Sequence, residues 1–130
     1  MIKQVIICVD DEKTILKSLK TELKDALGNT YRIEIAEGGK DALELIAELL
    51  ADGYEIPLII SDYVMPDMKG DEFLIRVHQK FPNIVKIMLT GQADEVAVNR
   101  AFHEANLHRC LPKPWSESEL IDTIKTALSL

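Results

Sequence analysis

Aromatic residues are scarce in this 130-residue chain, at 5% with a single tryptophan, and cysteine is scarcer still, at two. Two thiols cannot form a disulfide framework, and no CxxC pair or Cys/His cluster suggests zinc. Apolar runs are short. None approaches the roughly 20 residues of a membrane span, so no membrane association is expected. The opening MIKQVIICVDDE meets acids too early for a signal peptide. Basic charge is in deficit, 15 Lys and Arg against 22 acids for a formal net charge of −7. That balance argues against direct grip on nucleic acid. No glycine-rich run ending in Lys-Ser or Lys-Thr is present, so a P-loop is unsupported. What the chain does have is apolar content, 47%, too much for a disordered segment. Its length suits one domain, residues 1–130. A cytoplasmic, reducing setting is the expectation.

Five short apolar runs alternate with five helical patterns. Val5-Ile6-Ile7-Cys8-Val9 is continuous and β-branched, the mark of a strand buried on both faces. Leu58-Ile59-Ile60 and Ile84 to Leu89 read the same way, the latter interrupted only by Lys86. Tyr31, Ile33 and Ile35 alternate with Arg32 and Glu34, a half-exposed strand, and Arg109-Cys110-Leu111 is a brief one before Pro112. Between them, apolar residues recur at helical spacing, as in Leu16, Leu19 and Leu23, or Ala42, Ile46 and Ala47. Gly28-Asn29, Gly38-Gly39, Gly53 and Pro82 punctuate the pattern, and Ser116 with Glu119 should cap the last helix.

Repeated βα units imply an α/β fold, a doubly wound parallel sheet with helices on both faces. The apolar first, third and fourth strands should be central, and the more polar second and fifth should be edges. A (βα)5 sheet of order 2-1-3-4-5, the flavodoxin-like winding, satisfies this. Its switch point, where ligands bind, lies at the carboxyl ends of strands one and three.

Asp10-Asp11-Glu12 stand at the end of strand one and Asp62 at the end of strand three, so carboxylates converge there. Like charges at close range are costly without a cation, and hard oxygen donors suit Mg²⁺. Thr90 ends strand four and Lys113 ends strand five. Taken singly, Asp10 or Asp11 reads as a helix cap, Asp62 as a turn residue, Thr90 as a strand residue and Lys113 as a solvated charge. Taken together at one rim, they make a site for a phosphoryl group. A carboxylate would be the nucleophile, and the ion, hydroxyl and ammonium would hold the phosphoryl oxygens.

The pieces Val9-Asp10-Asp11-Glu12, Ser61-Asp62-Tyr63-Val64-Met65-Pro66, Lys69-Gly70, Leu89-Thr90-Gly91 and Lys113-Pro114-Trp115 occur in this order and spacing. On them the chain resembles, over residues 2–129, a receiver domain of two-component response regulators. The resemblance implies that Asp62 accepts a phosphoryl group from a histidine kinase or phosphotransfer protein. It implies Mg²⁺ as cofactor, held by Asp11 directly, by Asp10 mainly through water, by Asp62 and by the backbone carbonyl of Val64. Thr90 and Lys113 would contact the phosphoryl group, and the Lys113–Pro114 peptide would be cis. Val64 and Gln92, two places beyond Asp62 and Thr90, would tune hydrolysis of the acyl phosphate toward an intermediate lifetime.

In such domains phosphorylation draws the threonine inward and an aromatic residue three places before the lysine follows. Here that place holds Cys110, a departure that removes the usual Thr–Tyr or Thr–Phe coupling. The output surface implied is the fourth helix, fifth strand and fifth helix, with Asn99, Arg100, His103 and Glu104 on its polar side. A homodimer is one use of such a face. Any output domain or effector is expected outside this chain. Competing readings are weaker. A hydrolase of the haloacid-dehalogenase type needs an acid/base Asp where Glu12 stands, and a flavodoxin's phosphate loop would meet the repelling Asp10-Asp11-Glu12. A pseudo-receiver that only binds is the remaining rival, kept open by Cys110.

Overall fold

Strand residues alternate between the two faces of a sheet, so a run apolar on both parities needs cover on both sides. In β1 (Gln4–Val9), Val5, Ile7 and Val9 pack into one core, while Ile6 and Cys8 pack into another. The chain continues through α1 (Lys13–Leu27), β2 (Arg32–Ala36), α2 (Gly39–Ala51), β3 (Glu55–Asp62) and α3 (Gly70–Lys80). It ends with β4 (Val85–Thr90), α4 (Glu95–Glu104), β5 (Arg109–Pro112) and α5 (Glu117–Ala127). These positions come from a computed structural model describing residues 3–91 and 95–130.

All strand pairings are parallel and the sheet order is β2-β1-β3-β4-β5, the order expected from strand polarity. One core unites α2, α3 and α4 through Ile46, Phe73, Leu74 and Ala101. The other unites α1 and α5 through Leu16, Leu19, Leu23, Leu120 and Ile124. Burying each leucine, isoleucine or phenylalanine among them contributes roughly 1.5–3 kcal/mol.

Helix ends follow local chemistry. α1 stops at Gly28, whose φ of 63° suits a residue without a Cβ. α5 starts where the Ser116 hydroxyl accepts the Glu119 backbone N–H at 3.3 Å, as anticipated. Asp10 and Asp11 do not cap α1, whose N-cap position is Glu12.

Two residues depart from the strand pattern. Ile35 was expected to share the buried face with Tyr31 and Ile33, yet it is 44% exposed. It lies near the carboxyl end of an edge strand, in an open groove beside Lys13, Leu16 and Leu45. Lys86, the one charge within an apolar run, is buried at 1% exposure. Its ammonium lies 2.7 Å from Nδ1 of His78 and 3.4 Å from the Pro82 carbonyl oxygen. No helix among the described residues is long and apolar enough to cross a membrane.

Candidate functional site

Strand register brings the rim residues together. Val9 pairs with Ser61 and Leu89 with Asp62, so the residues ending β1, β3 and β4 reach one level. Asp10 is 1% exposed and Asp62 is 7% exposed. Together with exposed Asp11, they place one carboxylate oxygen each within 4.8 Å of one another. Thr90 is buried at the next position of β4. The Lys113 backbone N–H donates to the Thr90 carbonyl oxygen at 3.2 Å, which sets β5 level with the site. The Lys113–Pro114 peptide is cis, as expected.

The Lys113 ammonium lies 2.6 Å from Oδ2 of Asp10 and 3.1 Å from Oδ1 of Asp62. Oδ1 of Asp10 accepts the Glu12 backbone N–H at 2.9 Å, and Oδ1 of Asp62 accepts that of Tyr63 at 2.8 Å. Burial raises the Asp10 carboxyl above its ordinary range, against the Lys113 and Glu12 hydrogen bonds, and the Asp62 charge adds to the rise. Burial also works against the charged form of Lys113. Its hydrogen bonds to Asp10 and Asp62, with their charges, outweigh that and hold its pKa above the ordinary lysine value. Three carboxylates against one ammonium leave the cluster net negative. Hard oxygen donors at this spacing fit a hard divalent cation, so the residues present suit Mg²⁺.

Asp11, Glu12, Asp62, Val64, Thr90, Gly91 and Lys113 line one open cleft of about 230 Å³. Thus Asp11, Asp62, Val64, Thr90 and Lys113 share a cleft, with Asp10 beneath it on the same lysine. Val64 is 39% exposed at the cleft edge. Gln92 lies outside the described residues. Among the described residues no histidine joins a potential metal-binding cluster.

Burial disfavours the thiolate form of both cysteines. Burial pushes Cys8 up to about 12 and raises Cys110 as well. Cys110 is half-buried and packs against the α2–α3–α4 core. Asn99, Arg100, His103 and Glu104 are all exposed on α4, but Arg100 is not simply solvated. It reaches Oδ2 of Asp71 on α3 at 3.3 Å and Oε2 of Glu104 at 3.0 Å.

Sequence reading passed over Asp67 and Asp71, both in or next to the segment after Asp62. The signal for Asp67 was Gly38-Gly39, which opens α2 with no capping side chain of its own. Asp71 gave no signal, because an acid in the first turn of a helix is ordinary.

The model of the response regulator receiver domain family matches residues 6–125. The hydrogenase transcriptional regulatory protein HoxA of Cupriavidus necator is 28% identical over 97% of this chain. The chain spans only 24% of that relative's length. Among solved structures, the signal receiver domain of an HD domain-containing protein from Pseudomonas fluorescens superposes with a TM-score of 0.87 at 32% identity, covering 98% of this chain and 95% of that one. A CheY-like response regulator receiver domain protein from Methanospirillum hungatei gives 0.84 at 31% identity, covering 99% and 95%.

Proposed function

The chain belongs to the response regulator receiver family, a family of signalling domains rather than classical enzymes, and from that premise we propose that Asp62 is its phosphoryl acceptor. The observation carrying this reading is the contact of Lys113 with both Asp10 and Asp62 at the mouth of one cleft. The donor would be the phosphohistidine of a sensor kinase or phosphotransfer protein. A carboxylate oxygen of Asp62 forms the new P–O bond, the P–N bond to the donor imidazole breaks, and that nitrogen takes a proton from solvent.

Each remaining residue has a defined task. Lys113, pulled off its ion pair with Asp62, follows the charge onto a phosphoryl oxygen. The Thr90 hydroxyl donates to another. Gly91 presents no side chain against the incoming donor. Asp11, Asp62 and the Val64 carbonyl would hold Mg²⁺, with Asp10 acting mainly through water, and the ion when bound would offset the negative charge gathered there. The acyl phosphate is then open to water, so the domain catalyses its own phosphorylation and dephosphorylation only. Val64 offers no side-chain hydrogen bond to that water, whereas Gln92 carries an amide.

The added charge of about −1.5 to −2 would alter the α4-β5-α5 face, which would address an output domain, an effector or a second copy of the chain. Cys110 requires that coupling to run without the aromatic switch. In this reading residues 1–130 act as one cytoplasmic receiver domain that touches neither membrane nor nucleic acid directly.

The test is intact mass after incubation with Mg²⁺ and acetyl phosphate. Wild type should gain one phosphoryl group and Asp62→Asn none. No adduct on wild type, under conditions that modify other receivers, would favour a pseudo-receiver.

A further inference from the structure

α2 begins without a cap of its own. Gly38 occupies the N-cap position in an extended conformation (φ −162°, ψ 169°) and has no side chain to accept the first-turn N–H groups. Two of those groups are satisfied from elsewhere. Oδ1 of Asp67 accepts the Gly39 N–H at 3.1 Å, and Oδ2 accepts the Lys40 N–H at 2.8 Å. Asp67 is 28 and 27 residues away from these donors, in the segment between Asp62 and α3. The Lys40 hydrogen bond is the main reason its carboxyl is held below the ordinary range, with that of Gly39 adding to it.

The two glycines make room for this contact. A Cβ at position 38 would lie 3.0 Å from Oδ1 of Asp67. One at position 39 would lie 2.6 Å from Cγ and 2.7 Å from the sulfur of Met68. The segment is therefore seated directly on the α2 backbone.

Its two ends are fixed as well. The Gly70 N–H donates to the Tyr63 carbonyl oxygen at 2.7 Å. Met65 is buried in the core at 5% exposure. Between these anchors lies Val64, at the edge of the cleft that Asp62 and Lys113 share. With Tyr63 tied to Gly70 and Met65 buried, the remaining stretch is 66–69, exposed at Pro66, Asp67 and Lys69 and half-buried at Met68. Asp67 supplies the side-chain hydrogen bonds that clasp that stretch to α2.

We propose that Asp67 is a positioning residue for the site, holding the 63–69 segment on α2 so that the Val64 backbone keeps its place beside Asp62. This rests on the reading of Asp62 and Val64 as phosphoryl and metal site. It assigns Asp67 no contact with the reacting atoms. Releasing the clasp should loosen the one proposed metal ligand that is a main-chain atom. The four side chains Asp10, Asp11, Asp62 and Lys113 would be left in place.

Three measurements on the full chain test this. In wild type, Asp67→Ala and Asp67→Asn, the Gly39 and Lys40 amide resonances report the clasp. Free Mn²⁺ counted by electron paramagnetic resonance reports ion affinity without any phosphodonor. The rate of acyl-phosphate formation from acetyl phosphate is then followed against Mg²⁺ concentration. Asp67→Ala should shift both amides, weaken Mn²⁺ binding about three- to tenfold and raise the Mg²⁺ concentration for half-maximal rate by a similar factor. The rate at saturating Mg²⁺ should stay within about twofold of wild type. Asp67→Asn keeps an acceptor oxygen and should recover most of the Mn²⁺ affinity. Both amides shifted in Asp67→Ala with unchanged Mn²⁺ affinity would overturn the proposal and leave Asp67 as a helix cap alone. If wild type binds Mn²⁺ but takes up no phosphoryl group, the acceptor reading of Asp62 fails while the Mn²⁺ comparison still decides the role of Asp67.

Discussion

The indole N–H of Trp115 donates to Oε1 of Glu22 at 3.0 Å, tying the residue two places beyond Lys113 to α1. Trp115 is the only tryptophan in the chain, so tryptophan emission reports on this one place in the fold. Glu22→Ala should free the indole N–H to water and shift the emission maximum to longer wavelength. The lost charge-assisted hydrogen bond, partly exposed, should cost about 0.5–1.5 kcal/mol in urea melts. An unchanged spectrum would mean the contact does not persist in solution.

Gly70 answers to sterics rather than to turn conformation. A Cβ there would collide with the Asp62 carbonyl oxygen and come within 2.8 Å of the Tyr63 Cα. Both are backbone atoms and cannot swing aside as a side chain can. Gly70→Ala should therefore push the chain away from Asp62 and destabilise by roughly 1–3 kcal/mol, the range for overpacking. Thermal melts and phosphorylation rates should fall together. A melt within error of wild type would contradict the close approach.

The sheet order was legible because strand polarity is a burial signal. Val5 to Val9 needs cover on both faces, while Arg32 and Glu34 need water on one, and the flavodoxin-like winding serves both. The rim residues were legible because strand ends are fixed points of an α/β fold, so Asp10, Asp62, Thr90 and Lys113 follow once the strands do. Ile35 misled because alternation tells which face a residue points to and not whether a helix reaches that far along an edge strand. Asp67, Asp71 and Lys86 were illegible for a different reason. Each is paired across elements, Asp67 with the start of α2, Asp71 with Arg100, and Lys86 with His78. No local period or spacing encodes a partner that only the packing of two separate segments of the chain supplies.

Asp71 is 6% exposed and takes its ion pair from α4. Arg100 divides its guanidinium between Asp71 and Glu104, and the Glu104 pair is exposed at both ends. Exposed pairs contribute little, whereas a buried carboxylate left without its partner is costly. Arg100→Ala should lower Tm by a few degrees, and Glu104→Ala should hardly move it. In an Asp71→Asn background the Arg100→Ala effect should shrink toward zero, since a double-mutant cycle isolates the pair. Equal effects in both backgrounds would remove the α3–α4 tie.

His78 gives the fold a pH dependence. Partial burial and the nearby Lys86 ammonium both disfavour its imidazolium, burial the more, so its pKa lies below the ordinary 6.5. Burial likewise lowers the Lys86 pKa, which makes a second positive charge 2.7 Å away all the less welcome. In the unfolded chain His78 binds its proton near 6.5, while the folded chain binds it only at lower pH. The unfolded state thus carries more protons below about 6.5, and stability falls as pH drops through that point toward the lowered folded value. Above 6.5 the group contributes no slope. Urea midpoints at pH 7.5 and 5.5 should differ in wild type, with the lower pH weaker. His78→Gln cannot titrate and keeps an acceptor for Lys86, so the gap should narrow, with the pH 7.5 midpoint little changed. Lys86→Met should also narrow it, by removing the charge that His78 avoids. A gap equally wide in both variants would place the pH response on other groups instead.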